Sequence, residues 1–119
     1  MDTHQKKTMK EQYKQRKPEM GVLVVKNRHT SRCFLDVSTD IPSMFNRIQF
    51  QLKMGMHRCK PLQSDWNQSG ESAFLFEVID TLPYRDDRTR VMYLEELQML
   101  KHLWTEKLKE EGNCTLYQN

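Results

Sequence analysis

A chain of 119 residues with 37% hydrophobic side chains and a mean hydropathy of −0.83 is expected to form one domain around an economical core, with much of its length on polar helices. No stretch approaches the roughly 20 apolar residues that span a bilayer, and the basic start MDTHQKKTMKEQYKQRK lacks the apolar segment of a secretory signal, so a cytoplasmic location without membrane contact is expected. The net charge of +3 arises in residues 1–20, which hold six Lys/Arg against three Asp/Glu, while the rest of the chain holds thirteen of each.

Residues 3–16 contain neither Gly nor Pro and suit a helix that Pro18 ends. Lys6, Lys10 and Lys14 recur every fourth residue and share one face, with Met9 and Tyr13 toward the other. A solvated helix and a phosphate-contacting arm both fit that pattern. Residues 21–37 read as a β-hairpin. Val22, Leu23, Val24 and Val25 form one aliphatic run, Cys33, Phe34 and Leu35 a second, and Asn27, Arg28, His29 and Thr30 supply the turn. Apolar residues at consecutive positions indicate a strand covered on both faces, hence the centre of a small sheet with helices above and below.

Beyond the hairpin, Ser38-Thr39-Asp40 offers an N-cap and Pro42 suits a first turn. Ile41, Phe45, Ile48 and Leu52 then predict a helix over 41–54, stopped by Gly55. His57-Arg58-Cys59-Lys60 is a basic connector in which His57 reads as an ordinary loop histidine. Pro61 opens a short helix with Leu62 and Trp66 on its core side, and Gly70 is expected as a left-handed cap. Residues 73–82 alternate as a strand, with Phe74, Phe76 and Val78 on one face and Leu75, Glu77 and Ile79 on the other. A helix over 89–110 carries Tyr93, Leu97, Leu100, Trp104 and Leu108 as one stripe, widened by Leu94 and Leu103. The tail 113–119 has only Leu116 and Tyr117 to hold it. Cys33, Cys59 and Cys114 are odd in number, far apart and without zinc spacing, so they are read as reduced thiols with Cys33 buried in its strand. No Gly-rich phosphate loop, GxSxG or HExxH motif is present, and His4, His29 and His102 show no ligand spacing.

Several of these residues carry a resemblance. Gly21-Val22-Leu23, ten residues, then Phe34-Leu35-Asp36 resembles the paired tripeptides of the GIY-YIG nuclease superfamily. Asn46-Arg47, the run Leu62-Gln63-Ser64-Asp65-Trp66-Asn67 ending at Gly70, and Phe74-Leu75-Phe76-Glu77-Val78 follow in that superfamily's order and spacing. The similarity covers about Lys6 to Gly112 and is greatest to small stand-alone bacterial members and to the nuclease domain of the excision-repair endonuclease. It implies an α/β (α+β) domain over 21–112, in which an antiparallel three-stranded sheet is flanked by helices, preceded by a basic arm over 1–20. It also implies a site of two tyrosines, a glycine, an arginine and a glutamate that holds one divalent metal.

Carried over by position, those roles fall on Leu23, Phe34, Asp36, Met44 and Lys101, so no catalytic residue is intact. Leucine and phenylalanine carry no hydroxyl, and the Lys101 ammonium cannot ligate Mg²⁺. Its helical neighbours Leu97, Gln98, Trp104 and Thr105 offer no carboxylate instead. Arg47, one turn beyond Met44, is a partial substitute for the arginine, and Asp36 with Glu77 is a relocated metal pair to be tested. The expected function is thus a nuclease-like module that binds nucleic acid, most simply DNA, through Lys6, Lys10, Lys14, Arg47, Arg58 and Lys60, with no cofactor. Two other functions remain: an active endonuclease with a rearranged, Mg²⁺-dependent site, and a scaffold for a protein partner.

Overall fold

The computed structural model describes residues 17–112 and 114–117; the helix expected over 3–16 lies outside the described residues. Strands β1 (Gly21–Asn27) and β2 (Arg32–Ser38) form the hairpin, followed by helices α1 (Ile41–Lys53) and α2 (Lys60–Ser69). A 3-10 turn then leads into strand β3 (Phe74–Thr81), helix α3 (Arg90–Glu111) and a two-residue strand β4 (Thr115–Leu116). The sheet order is β3-β1-β2-β4, which puts β1 between both of its antiparallel partners. Six of the seven β1 residues are buried, as expected of a strand covered on both sides.

Strand alternation divides the core in two. Leu23, Val25 and Phe34 face Ile41, Ile48 and Leu52 of α1 and Leu62 and Trp66 of α2. Val22, Val24, Cys33, Leu35 and Val37 face the opposite way, toward Leu97, Leu100, Trp104 and Leu108 of α3. Trp66 packs on Phe74 at a centroid distance of 5.3 Å, so it is a core residue as expected. The α1 start is capped by Asp40, whose carboxylate accepts the Ser43 amide at 3.2 Å. The α3 start is capped by Thr89, which accepts the Met92 amide.

Several sequence expectations need correction. The sheet has a fourth strand, and that strand is parallel: β4 runs beside β2 with Thr115 opposite Arg32 and Leu116 opposite Cys33. Two residues carry no detectable periodicity, and the strand is held in place by its neighbour Tyr117. That tyrosine is buried and donates its hydroxyl to Asp65 at 2.7 Å while accepting from Asn27 at 3.1 Å, and the Arg32 guanidinium lies 4.3 Å over its ring. Asn27 is accordingly a buried strand residue and not part of the turn. Alignment of the tail with β2 also brings Cys114 to Cys33 across 81 residues, and the two form a disulfide; Cys59 alone remains a free, buried thiol. Leu94 and Leu103 do not widen the α3 stripe, because both point away from the sheet. Gly70 has the positive φ expected of a cap, but its ψ of 169° is extended and leads straight into the 3-10 turn.

Candidate nucleic-acid interface

Where β2 ends against α1, a shallow cleft of about 250 Å³ opens between α1 and the connector before α2. Asp36 of β2, Met44, Arg47, Ile48 and Gln51 of α1, and Met56, His57 and Arg58 of the connector line it. Two positions matched to the nuclease site, Asp36 and Met44, are thus brought together here, and Leu23 and Phe34 belong to the core cluster that also holds the cleft residue Ile48. The fifth is not. Lys101 sits on α3, whose neighbouring Leu97, Leu100 and Trp104 pack on the other face of the sheet.

The connector histidine is the residue that sequence reasoning missed. His57 is 2% exposed, its ring stands edge-to-face on Phe34 at 5.1 Å, and its Nδ1 accepts the Cys59 amide at 3.0 Å. Its own amide donates to Gln63 Oε1, and Gln63 Nε2 donates onward to the Leu52 carbonyl and to Asn67. The available signal was Gln63 itself, a polar residue on the core side of α2 beside Leu62 and Trp66, where a buried amide requires partners. Because Nδ1 is an acceptor, the neutral ring carries its proton on Nε2 and can offer a hydrogen bond from that atom. Burial, and next the charge of Arg58, lower the His57 pKa below the ordinary 6.5, against the opposing pull of Asp36. The unfolded chain therefore takes up a proton that the folded chain resists. Stability should be complete above about pH 6.5 and decline as the pH falls toward the depressed folded value. Melting temperatures at pH 7.5 and 5.5 should show this decline, and His57→Asn, which keeps an acceptor for the Cys59 amide, should shrink it. An equal decline in both proteins would refute the assignment.

The charges of the cleft are unequal. Asp36 accepts the amide of Val37 and pairs with Arg58 at 3.4 Å, so this half-buried carboxylate is already occupied. Arg47 is exposed, and among the described residues no carboxylate pairs with it. Lys60 opens α2 just beyond the cleft and is exposed. Lys6, Lys10 and Lys14 lie outside the described residues.

The donor set does not fit the divalent metal of a nuclease. Among the described residues no three His, Cys, Asp or Glu side chains gather as ligands. Asp36 lies opposite Leu23 in the ladder and Glu77 opposite Val24, so the two carboxylates leave opposite faces of the sheet, and Glu77 pairs with Lys26 at 3.0 Å. Raising Mg²⁺ or Mn²⁺ to millimolar levels is expected to leave the melting temperature unchanged. A saturable rise abolished by Asp36→Asn would reverse that expectation.

Neither a comparison with protein-family models nor one with curated proteins finds a match. Solved structures do match. The catalytic domain of the homing endonuclease I-TevI superposes with a TM-score of 0.65 and 18% identity, over 84% of this chain and 99% of that domain. The chain has the fold of that catalytic domain. A point mutant of the same I-TevI domain also superposes at 0.65, over 82% of this chain and 91% of its own. Within the GIY-YIG fold, the hairpin, α1 and β3 are the elements on which the sequence resemblance rested, and the likeness here is one of architecture.

Proposed function

We propose that this chain uses the GIY-YIG fold to bind nucleic acid without cleaving it by metal-dependent chemistry. The carrying observation is the cleft. It presents Arg47 with no described carboxylate partner, a second guanidinium at Arg58, and His57 held as a neutral hydrogen-bond donor. These groups suit phosphate oxygens: a cation neutralises the charge, and N–H groups fix orientation without reading bases. The same surface offers little for hydrolysis. By the sequence resemblance Leu23 and Phe34 fall where the superfamily has hydroxyls, and the Asp36 carboxylate is engaged by Arg58 while Lys101 is on the far side of the sheet. That I-TevI is a homing endonuclease supports a nucleic-acid partner for the fold. DNA is the first substrate to test.

Binding to a labelled duplex should weaken as salt rises, with a slope in log–log form of about −0.9 per phosphate contact. Arg47→Ala is expected to reduce affinity for all sequences alike and to make the slope shallower by about one contact. Deleting residues 1–17, with Lys6, Lys10 and Lys14, should shallow it by two or three. No cleavage product should appear with Mg²⁺ or Mn²⁺. If the intact chain fails to bind even at low salt, nucleic acid is the wrong partner and the fold serves a protein contact. Metal-dependent cleavage would instead restore the active-nuclease reading.

A further inference from the structure

Of the five phenylalanines, Phe34 and Phe74 are buried and Phe45 and Phe76 pack against the core, but Phe50 on α1 is 59% exposed. It does not stand alone. Met54 follows one helical turn later at 59% exposure. Met56, at 58%, is held at the same end of the helix by its amide, which donates to the Gln51 carbonyl at 2.8 Å. Arg47 lies one turn before Phe50, so the two share a side of α1 with Cβ atoms about 5–6 Å apart. Arg47, Gln51 and Met56 also line the cleft, so the exposed ring adjoins it.

No negative charge is carried by α1 itself: Ile41–Lys53 contains no Asp or Glu. The carboxylates that reach this region, Asp36 and Glu71, are paired with Arg58 and Lys53. Apolar side chains are exposed on α3 as well, but there the exposed Glu95, Glu106 and Glu110 lie among them and would repel a polyanion. A guanidinium beside an exposed ring suits a polyanion that has apolar faces. An unpaired nucleotide is such a group, with a base to stack on Phe50 and a phosphate for Arg47. In a duplex the bases are stacked on one another, and the ring finds no face to meet. Asn46, exposed one turn before Phe50, adds a side-chain amide for a base edge.

We propose that this face of α1 binds unpaired DNA, with Phe50 stacked on a base and Arg47 on the adjoining phosphate, so that a single strand is preferred to a duplex. The proposal rests on the nucleic-acid reading above and narrows its substrate. A second copy of the chain is the weaker occupant. A two-fold contact through α1 would set Arg47 against its own copy, with no carboxylate on the helix to answer it.

The full chain is titrated at low salt with three labelled probes: an unstructured oligodeoxynucleotide, an abasic strand of the same length, and the blunt duplex. The single strand should bind tightest. The abasic strand keeps the phosphates and loses the stack, so it should bind about tenfold or more weakly. Phe50→Ala should lower single-strand affinity to the abasic level and leave the other two probes unchanged. Phe50→Trp should restore the preference, and its fluorescence should be quenched by the single strand but not by the abasic one. Arg47→Ala should weaken all three. Both Phe50 variants, made at an exposed position, should keep the parent melting temperature. Equal binding of the single and abasic strands, or an equal loss on every probe in Phe50→Ala, would overturn this proposal and leave the nucleic-acid reading standing. Failure to bind any probe would overturn both. A dimer that Phe50→Ala dissociates would give the patch to a second copy and overturn the proposal as well.

Discussion

Gly21→Ala is expected to unfold this protein or to cost about 4 kcal/mol or more, the range reserved for changes a structure cannot absorb. Gly21 opens β1 beside the end of β3, and a Cβ there would collide with the Asp80 carbonyl oxygen and stand 2.7 Å from the Thr81 Cα. Both obstacles are backbone, so no side chain can rotate away. The clash falls next to the irregularity in register between Val22 and Leu23, where the two strands are already offset. Relief requires separating β1 from β3, and β1 is the strand on which both halves of the core are built. Gly55→Ala is the control: its φ of 73° disfavours alanine, but nothing lies within 4 Å, so only about 1 kcal/mol should be lost. Urea titration of the two variants separates the outcomes. A Gly21→Ala protein within about 0.5 kcal/mol of the parent would mean that β1 and β3 are not so closely apposed.

Leu97→Ala should destabilise by about 2–5 kcal/mol through the cavity it leaves. Leu97 is fully buried and meets Val22, Val24, Leu35 and Val37, so it is the point at which α3 is fixed to the sheet. Trp104→Ala should fall in the same range for two reasons: the lost ring, and the Asp80 carboxylate that would no longer receive the indole N–H at 2.9 Å. Leu103→Ala, one residue away in sequence but exposed, should change stability by less than about 0.5 kcal/mol. Equal losses at Leu97 and Leu103 would mean that α3 packs by a different face.

These contrasts mark what periodicity can and cannot convey. The stripe Tyr93, Leu97, Leu100, Trp104 and Leu108 is legible because five residues repeat a helical spacing, and the same holds for Ile41, Ile48 and Leu52 in α1. The consecutive aliphatic run of β1 reveals burial on both sides. Leu94 and Leu103 mislead because hydrophobicity alone does not say which way a side chain points when apolar residues surround a helix. The tail is illegible for another reason: β4 and Tyr117 are specified by partners in β1, β2 and α2, which no local pattern records. The cleft is half legible. Arg47 and Arg58 are visible as basic residues, but the Asp36–Arg58 pair spans 22 residues and the burial of His57 depends on Gln63 and Phe34 arriving from other elements.

The tail contact orders events in time during synthesis. Asn27 and Tyr117 are 90 residues apart in the chain, yet they share a buried hydrogen bond. At roughly 5–20 residues per second, Asn27 is synthesised about 5–18 s before its partner. For that interval the amide of Asn27 must be satisfied by water, the Asp65 carboxylate lacks its phenol, and the β2 side that β4 will cover stands open. Folding of this domain is therefore completed from its C-terminal end, and a released chain ending shortly after α3 would hold a sheet with an unguarded border.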